Sequence, residues 1–131
     1  MRLTDHTDYT LRVLMYLNRK KVQVTLNELA EQLRISRNNL IKVSNQLAKL
    51  GYIETTRGRA GGLVITPEAG KTSLKEIITK VEENFAIAEC FGAGKSDCTF
   101  LRGCRLKKAL NDALNAFLEN LGRTTLDDVT G

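Results

Sequence analysis

The stretch that decides the fold lies between residues 25 and 65 and reads TLNELAEQLRISRNNLIKVSNQLAKLGYIETTRGRAGGLVI. Thr25 and Ser36 can each accept a hydrogen bond from an amide in a first helical turn, so each is expected to begin a helix. Three residues separate the two helices, and Gly51 is expected to end the second one. Residues that favour β-structure flank the glycine-rich segment 57–62 and predict a hairpin. Two helices, a short turn and a hairpin in this order predict a winged helix-turn-helix.

Helical periodicity predicts further helices on both sides of this stretch, over about 5–17, from Ser73 onward and over 104–121. The segments 25–28 and 73–76 have the pattern of a capping box, in which a glutamate returns a hydrogen bond to the cap residue. The stretch 89–103 has no apolar period and is expected to be a loop. The predicted fold class is therefore mainly α with a small β-hairpin wing.

The positive charge of the chain is concentrated in its N-terminal half. The chain has 131 residues, of which 20 are Lys or Arg and 15 are Asp or Glu. Residues 1–67 hold 11 of the basic and 5 of the acidic residues, so a polyanionic partner is expected there. No apolar run approaches the ~20 residues that cross a membrane, and the N-terminus lacks the apolar segment of a signal peptide. We therefore expect a cytoplasmic protein.

The second helix of a helix-turn-helix enters the major groove with its N-terminal residues near the base edges. Arginine suits guanine and asparagine suits adenine, because each offers two hydrogen bonds in one plane. The predicted DNA contacts are Thr25, Ser36, Arg37, Asn38, Asn39, Lys42 and Lys49, with Arg57 and Arg59 from the wing. Arginines on such a wing suit a narrow minor groove. The alternative, a solvated helix face beside a flexible hairpin, does not explain why these pieces occur in this order.

Three cysteines fall within fifteen residues, as Cys90-x7-Cys98-x5-Cys104. Basic residues in and beside this loop would stabilise thiolates, which bind metals and act as nucleophiles. The spacing is neither that of a zinc ribbon nor that of a bacterial ferredoxin. From the spacing alone, a metal or cluster, redox-active thiols and inert thiols are all left open. A thiol-based redox enzyme is disfavoured, because the chain has no Cys-x-x-Cys pair.

Three thiolates leave one coordination position of a metal site to fill. The single histidine, His6, is far away in sequence, and Asp5 and Asp8 lie near it in the first helix. A carboxylate binds more weakly than a thiolate and exchanges more easily, which suits a sensor. From the residues alone we favour the simpler explanation, that the two aspartates interact with the helix dipole.

Several short motifs occur together in this sequence. They are Leu3-Thr4, Asp8-Tyr9, Leu11-Arg12, the helix start Ser36-Arg37-Asn38, the wing Arg57-Gly58-x-x-Gly61-Gly62 and the three-cysteine loop. In this order they resemble the winged-helix iron–sulfur repressor family (IscR/NsrR-like). Lys107 stands where one branch of that family has a histidine ligand, and the Arg37-Asn38 pair is similar to the nitric-oxide-sensing branch.

The resemblance implies a homodimer, paired through the long C-terminal helix, that represses transcription at a palindromic operator in double-stranded DNA. It also implies an iron–sulfur cluster, [4Fe-4S] with [2Fe-2S] as the alternative, whose nitrosylation by nitric oxide lowers operator affinity. Cys90, Cys98 and Cys104 would hold it, with the partner subunit's Asp8 as the fourth ligand. The alternatives are a related regulator of iron–sulfur status or oxidative stress, and a zinc-stabilised interaction module.

These expectations divide the chain into three parts. Residues 1–70 form the winged helix-turn-helix, and residues 71–103 form a connecting helix and the cluster-binding loop. Residues 104–131 form the dimerisation helix and a C-terminal tail.

Overall fold

Five helices and the hairpin form where the sequence predicts them. The computed structural model describes residues 1–59 and 61–131; Ala60, in the predicted wing turn, lies outside the described residues. The elements are α1 (Asp5–Lys20), α2 (Leu26–Leu33), α3 (Arg37–Leu50), β1 (Ile53–Thr56), β2 (Gly62–Ile65), α4 (Leu74–Val81), α5 (Arg105–Gly122) and α6 (Leu126–Thr130). Short 3-10 turns occur at Ala69–Lys71 and Glu89–Phe91. The fold class is therefore confirmed.

The hydroxyl caps form as expected, but the predicted capping boxes are only half formed. Thr25 accepts a hydrogen bond from the amide of Glu28, and Ser73 accepts one from the amide of Glu76, both at 3.1 Å. The glutamate carboxylates are engaged elsewhere. Glu28 accepts a hydrogen bond from the hydroxyl of Tyr16 at 2.8 Å, and Glu76 pairs with a lysine one turn further on. The first of these contacts joins α2 to α1, which a local pattern does not reveal.

The first three helices and the hairpin share one hydrophobic core. Its buried members in this part of the chain are Val13, Leu14, Leu17, Val24, Leu29, Ile35, Leu40, Val43, Leu47, Tyr52, Ile53, Leu63 and Ile65. Helix α4 adds Ile77 and Val81 to the same core. This packing holds α3 against α1 and α2, so its polar face points outward.

The wing is a two-stranded antiparallel hairpin with a tight base. Ile53 pairs with Ile65 and Thr56 pairs with Gly62, while Val24 bridges to Leu63 from outside the hairpin. A Cβ atom on Gly62 would lie 2.4 Å from the carbonyl oxygen of Val24. Position 62 therefore needs glycine, because a side chain would force the hairpin away from the α1–α2 connection.

The end of the chain forms a helix that the sequence prediction missed. The predicted C-terminal tail contains α6, which begins with a complete capping box between Thr125 and Asp128. Leu126 is fully buried in the shared core. The buried amide of Asn18 in α1 donates hydrogen bonds to Asp127 and to Thr130, both at 2.8 Å. Helix α6 is therefore packed against the winged helix-turn-helix part of the chain.

Helix α5 differs from the others, because none of its 18 residues is buried. Residues on one side of α5 are half-buried at helical spacing, namely Leu110, Leu114, Leu118 and Leu121. Apolar residues on another side are exposed, namely Leu106, Ala109, Ala113 and Phe117. We call these four residues the open face of α5. Within the described residues, no helix is both long and apolar enough to span a bilayer.

Candidate nucleic-acid interface and cysteine loop

An open groove of about 410 Å³ lies between α3, the start of α2 and the wing. Four of the predicted contact residues line it, namely Thr25, Arg37, Arg57 and Arg59. The charged residues that line it within the described part of the chain are all arginines. We call it the wing groove. Its positive charge and its position beside the helix-turn-helix suit a nucleic-acid backbone.

Among the residues of α2 and α3 that line the wing groove, those not among the predicted contacts are Leu26, Asn27, Ile41, Ser44 and Asn45. A guanidinium nitrogen of Arg37 donates a hydrogen bond to the side-chain oxygen of Asn27. This contact holds Arg37 at the edge of the groove and leaves its other donors exposed. Spacing along one helix could not reveal it, because it joins α2 to α3.

The other predicted contacts on α3 lie outside the wing groove. Asn38, Lys42 and Lys49 are exposed at helical spacing on the outer face of α3. The Ser36 hydroxyl accepts a hydrogen bond from the amide of Asn39 at 3.3 Å, so it caps the helix. Contact of all nine predicted residues with DNA, inside or outside the wing groove, stays a prediction.

The three cysteines line one cavity of about 660 Å³ between the loop and the start of α5. All three thiols are free; Cys90 and Cys104 are half-buried, and Cys98 is exposed. The same cavity is lined by the apolar side chains of Phe100 and Leu106. The three predicted sulfur ligands therefore line the same cavity.

Cys104 is the N-cap residue of α5. Its sulfur accepts a hydrogen bond from the amide of Lys107 at 3.3 Å, and amides at a helix N-terminus favour negative charge. The ammonium group of Lys107 lies 5.6 Å from the ring centre of Phe91, which follows Cys90. Lys107 thus connects the two ends of the loop.

The sulfur donors fit an iron–sulfur cluster, because such clusters are held by thiolates and three free thiols share one cavity. Among residues 1–59 and 61–131, no group of three His, Cys, Asp or Glu side chains is close enough to hold a metal ion. The cavity is open toward solvent beside the open face of α5. The three thiols therefore share one cavity without being close enough together in this structure to form a metal site.

The carboxylates of α1 are paired within their own segment. Asp8 accepts two hydrogen bonds from Arg12, one from Nε at 3.1 Å and one from Nη2 at 2.6 Å. Asp5 pairs with Arg2. Asp8 does not line the cysteine cavity of its own chain among the residues described there. If Asp8 is a ligand, as predicted, it would therefore bind the cluster held by a second protomer.

Two contacts join α1 to the elements that flank it. The hydroxyl and the amide of Thr4 both donate to a carboxylate oxygen of Glu82, at 3.1 and 3.2 Å. The Nε2 atom of His6 contacts the side-chain oxygen of Gln46 in α3. The first turn of α1 and its cap residue therefore contact both Glu82, at the end of α4, and helix α3.

Comparison with known proteins agrees with this geometry. The family model of Rrf2, an iron-dependent transcriptional regulator, matches residues 3–131. The HTH-type transcriptional regulators NsrR of Bacillus licheniformis and Bacillus subtilis are 41% and 42% identical; each alignment covers 98% of this chain and 92% or 90% of the relative. The crystal structure of Staphylococcus aureus CymR has a TM-score of 0.76 at 22% identity, covering 97% of this chain and 96% of that one. These Bacillus relatives are regulators of transcription, not enzymes.

Proposed function

Because this chain belongs to the Rrf2 family of iron-dependent transcriptional regulators, we propose that it is a cytoplasmic homodimeric repressor that responds to nitric oxide. The observation that carries the proposal is the single cavity lined by Cys90, Cys98 and Cys104 beside the open face of α5. The NsrR relatives at 41% and 42% identity support the nitric-oxide-sensing branch over a regulator of iron–sulfur status.

The open face of α5 is proposed as the dimer interface. Phe117 is 41% exposed and Leu106 is 67% exposed, and contiguous exposed apolar surface marks interaction sites. Pairing two copies through α5 would hold two α3 helices at a fixed separation. Successive major grooves on one side of DNA lie about 34 Å apart, so a dimer of this kind binds a palindromic operator.

Cys90, Cys98 and Cys104 would hold the cluster, proposed as [4Fe-4S], with the partner subunit's Asp8 as the fourth ligand. When bound, the cluster supplies iron that reacts with nitric oxide. The Asp8 carboxylate is shared with Arg12 of its own helix, so this ion pair competes with its use as a ligand. Asp8 would therefore be the weakest of the four ligands, and its loss as a ligand would free α1.

Helix α1 transmits the change within the protomer. Its N-terminus is held by Glu82 through Thr4, and its next turn contacts α3 through His6 and Gln46. A shift of α1 relative to the cysteine loop therefore changes the position of α3, and with it the separation of the two recognition helices. Operator affinity falls because both helices must fit the same DNA.

The test uses full-length protein purified without oxygen. We expect a visible absorption spectrum from the cluster, and operator binding in a gel-shift assay that nitric oxide weakens at least tenfold. Asp8→Ala should lose the cluster absorbance faster than native protein. Asp5→Ala is the matched control, because it also removes an ion-paired carboxylate from α1, and it should lose the absorbance at the native rate. A colourless protein that contains zinc, or equal operator affinity with and without nitric oxide, would contradict the proposal.

A further inference from the structure

The recognition helix α3 carries a large apolar side chain on its exposed face. Ile41 is 38% exposed and lies outside the hydrophobic core formed by the described residues. The other exposed residues of α3 are polar, namely Arg37, Asn38, Lys42, Asn45 and Lys49. Ile41 lines the wing groove between Arg37, one turn before it, and Asn45, one turn after it. An apolar group therefore stands between two side chains that suit base edges.

We propose that Ile41 is a specificity-determining residue, which contacts the 5-methyl group of a thymine in the major groove. The inference rests on the operator binding proposed above. Among the base edges in the major groove, thymine presents an apolar group, whereas the other bases present donors and acceptors. An isoleucine at this position therefore raises the affinity for a duplex with thymine there. It leaves the polar edges of other bases without a hydrogen-bond partner.

The neighbours of Ile41 strengthen the apolar character of this part of the groove. Leu26 and Leu63 line the groove with it. The hydroxyl of Ser44 donates to the carbonyl oxygen of Ile41 at 3.0 Å, so its proton is used inside α3. Ile41 therefore has apolar side chains beside it in the groove.

The spacing along α3 predicts where this thymine lies in the operator. Arg37 is held at the groove edge by Asn27, and Ile41 follows it by one turn. Four helical residues span about 6 Å, and base pairs are stacked about 3.4 Å apart. The thymine is therefore expected about two base pairs from the guanine that Arg37 contacts.

The experiment begins by selecting duplexes from a random pool with the anaerobically purified protein, so that the protein itself defines the operator. Each thymine of one half-site is then replaced by deoxyuridine, which removes the methyl group and keeps base pairing. At one position we expect native affinity to fall about fourfold, the effect of losing one apolar methyl contact. Ile41→Ala should bind the thymine duplex more weakly and should show no further loss with uracil at that position.

Val22→Ala is the matched control, because Val22 is 60% exposed and does not line the wing groove. In this variant, replacing thymine by uracil should lower the affinity as much as in native protein. Ile41→Val should keep part of this fall in affinity, because valine still offers an apolar contact. A graded effect of this kind distinguishes a lost contact from a misfolded helix. If duplexes are selected but uracil has no effect, or if its effect persists in Ile41→Ala, the inference about Ile41 is wrong and DNA binding stands. If no duplex is selected, operator binding and the inference fail together.

Discussion

Helices α3 and α5 are similar in length, but they relate to the rest of the molecule in opposite ways. Helix α3 buries Leu40, Val43 and Leu47 in the core of its own chain. Helix α5 buries no residue and leaves an apolar face exposed. The winged helix-turn-helix thus has its core within one chain, whereas the apolar face of α5, beside the cysteine loop, is left uncovered by the described residues.

The largest expected effects come from comparing a substitution in the core with one on the open face of α5. Leu47→Ala removes a fully buried side chain and should lower the free energy of unfolding by about 2–5 kcal/mol. Phe117→Ala should change protomer stability by roughly 0.5 kcal/mol or less but should weaken the dimer. Urea unfolding at low protein concentration and analytical ultracentrifugation measure the two effects. If Leu47→Ala and Phe117→Ala lowered the free energy of unfolding of the protomer equally, the contrast between α3 and α5 would be wrong.

Two glycines test the same contrast at the backbone. Gly62→Ala would place a Cβ atom 2.4 Å from the carbonyl oxygen of Val24, whereas Gly94 in the cysteine loop has nothing within 4 Å of that position. We expect Gly62→Ala to destabilise the chain by about 1–3 kcal/mol and to weaken DNA binding, because the wing shifts. Gly94→Ala should be close to neutral in thermal unfolding; a large loss there would show that the loop is packed more tightly than its open surroundings imply.

The smallest effect concerns α6, which is distant in sequence from the DNA-binding part but packed with it. The Thr125 amide donates to the carboxylate of Asp128 at 2.8 Å and holds the pKa of Asp128 below its ordinary value of 3.8. The stabilisation is therefore present above about pH 4 and is lost as the pH falls through the lowered pKa. The stability difference between native protein and Asp128→Asn should shrink from pH 6 to pH 3 in thermal unfolding. A constant difference would show that the cap bond contributes nothing through its charge.

The parts of the fold that the sequence predicts well are those decided by near neighbours. Ser36 and Gly51 begin and end α3 through hydrogen bonds to amides or carbonyls within a few residues. Both ends of the helix can therefore be predicted from a short segment of sequence. The three cysteines could be predicted to line one cavity for a similar reason, since they lie in one loop or at its end. The Rrf2 relatives confirm the family resemblance that these local motifs carried.

The parts that the sequence did not predict depend on contacts between distant residues. Asn27 holds Arg37 from another helix, and Glu82 holds Thr4 across 78 positions. Leu126 is part of a short segment with little helical periodicity, and it is buried because α1 offers a surface for it. Such contacts depend on the packed arrangement of whole elements, and no spacing rule along the chain encodes them.

The open face of α5 also has a consequence for gene control through mass action. An operator that needs two protomers is filled by a species whose concentration, well below the dimer dissociation constant, rises with the square of the total protein concentration. Halving the amount of protein in that range lowers the concentration of binding-competent species about fourfold. If α5 pairs two protomers as proposed, its exposed leucine and phenylalanine would set a threshold of protein abundance, below which the regulated genes would be expressed whatever the state of the sensor.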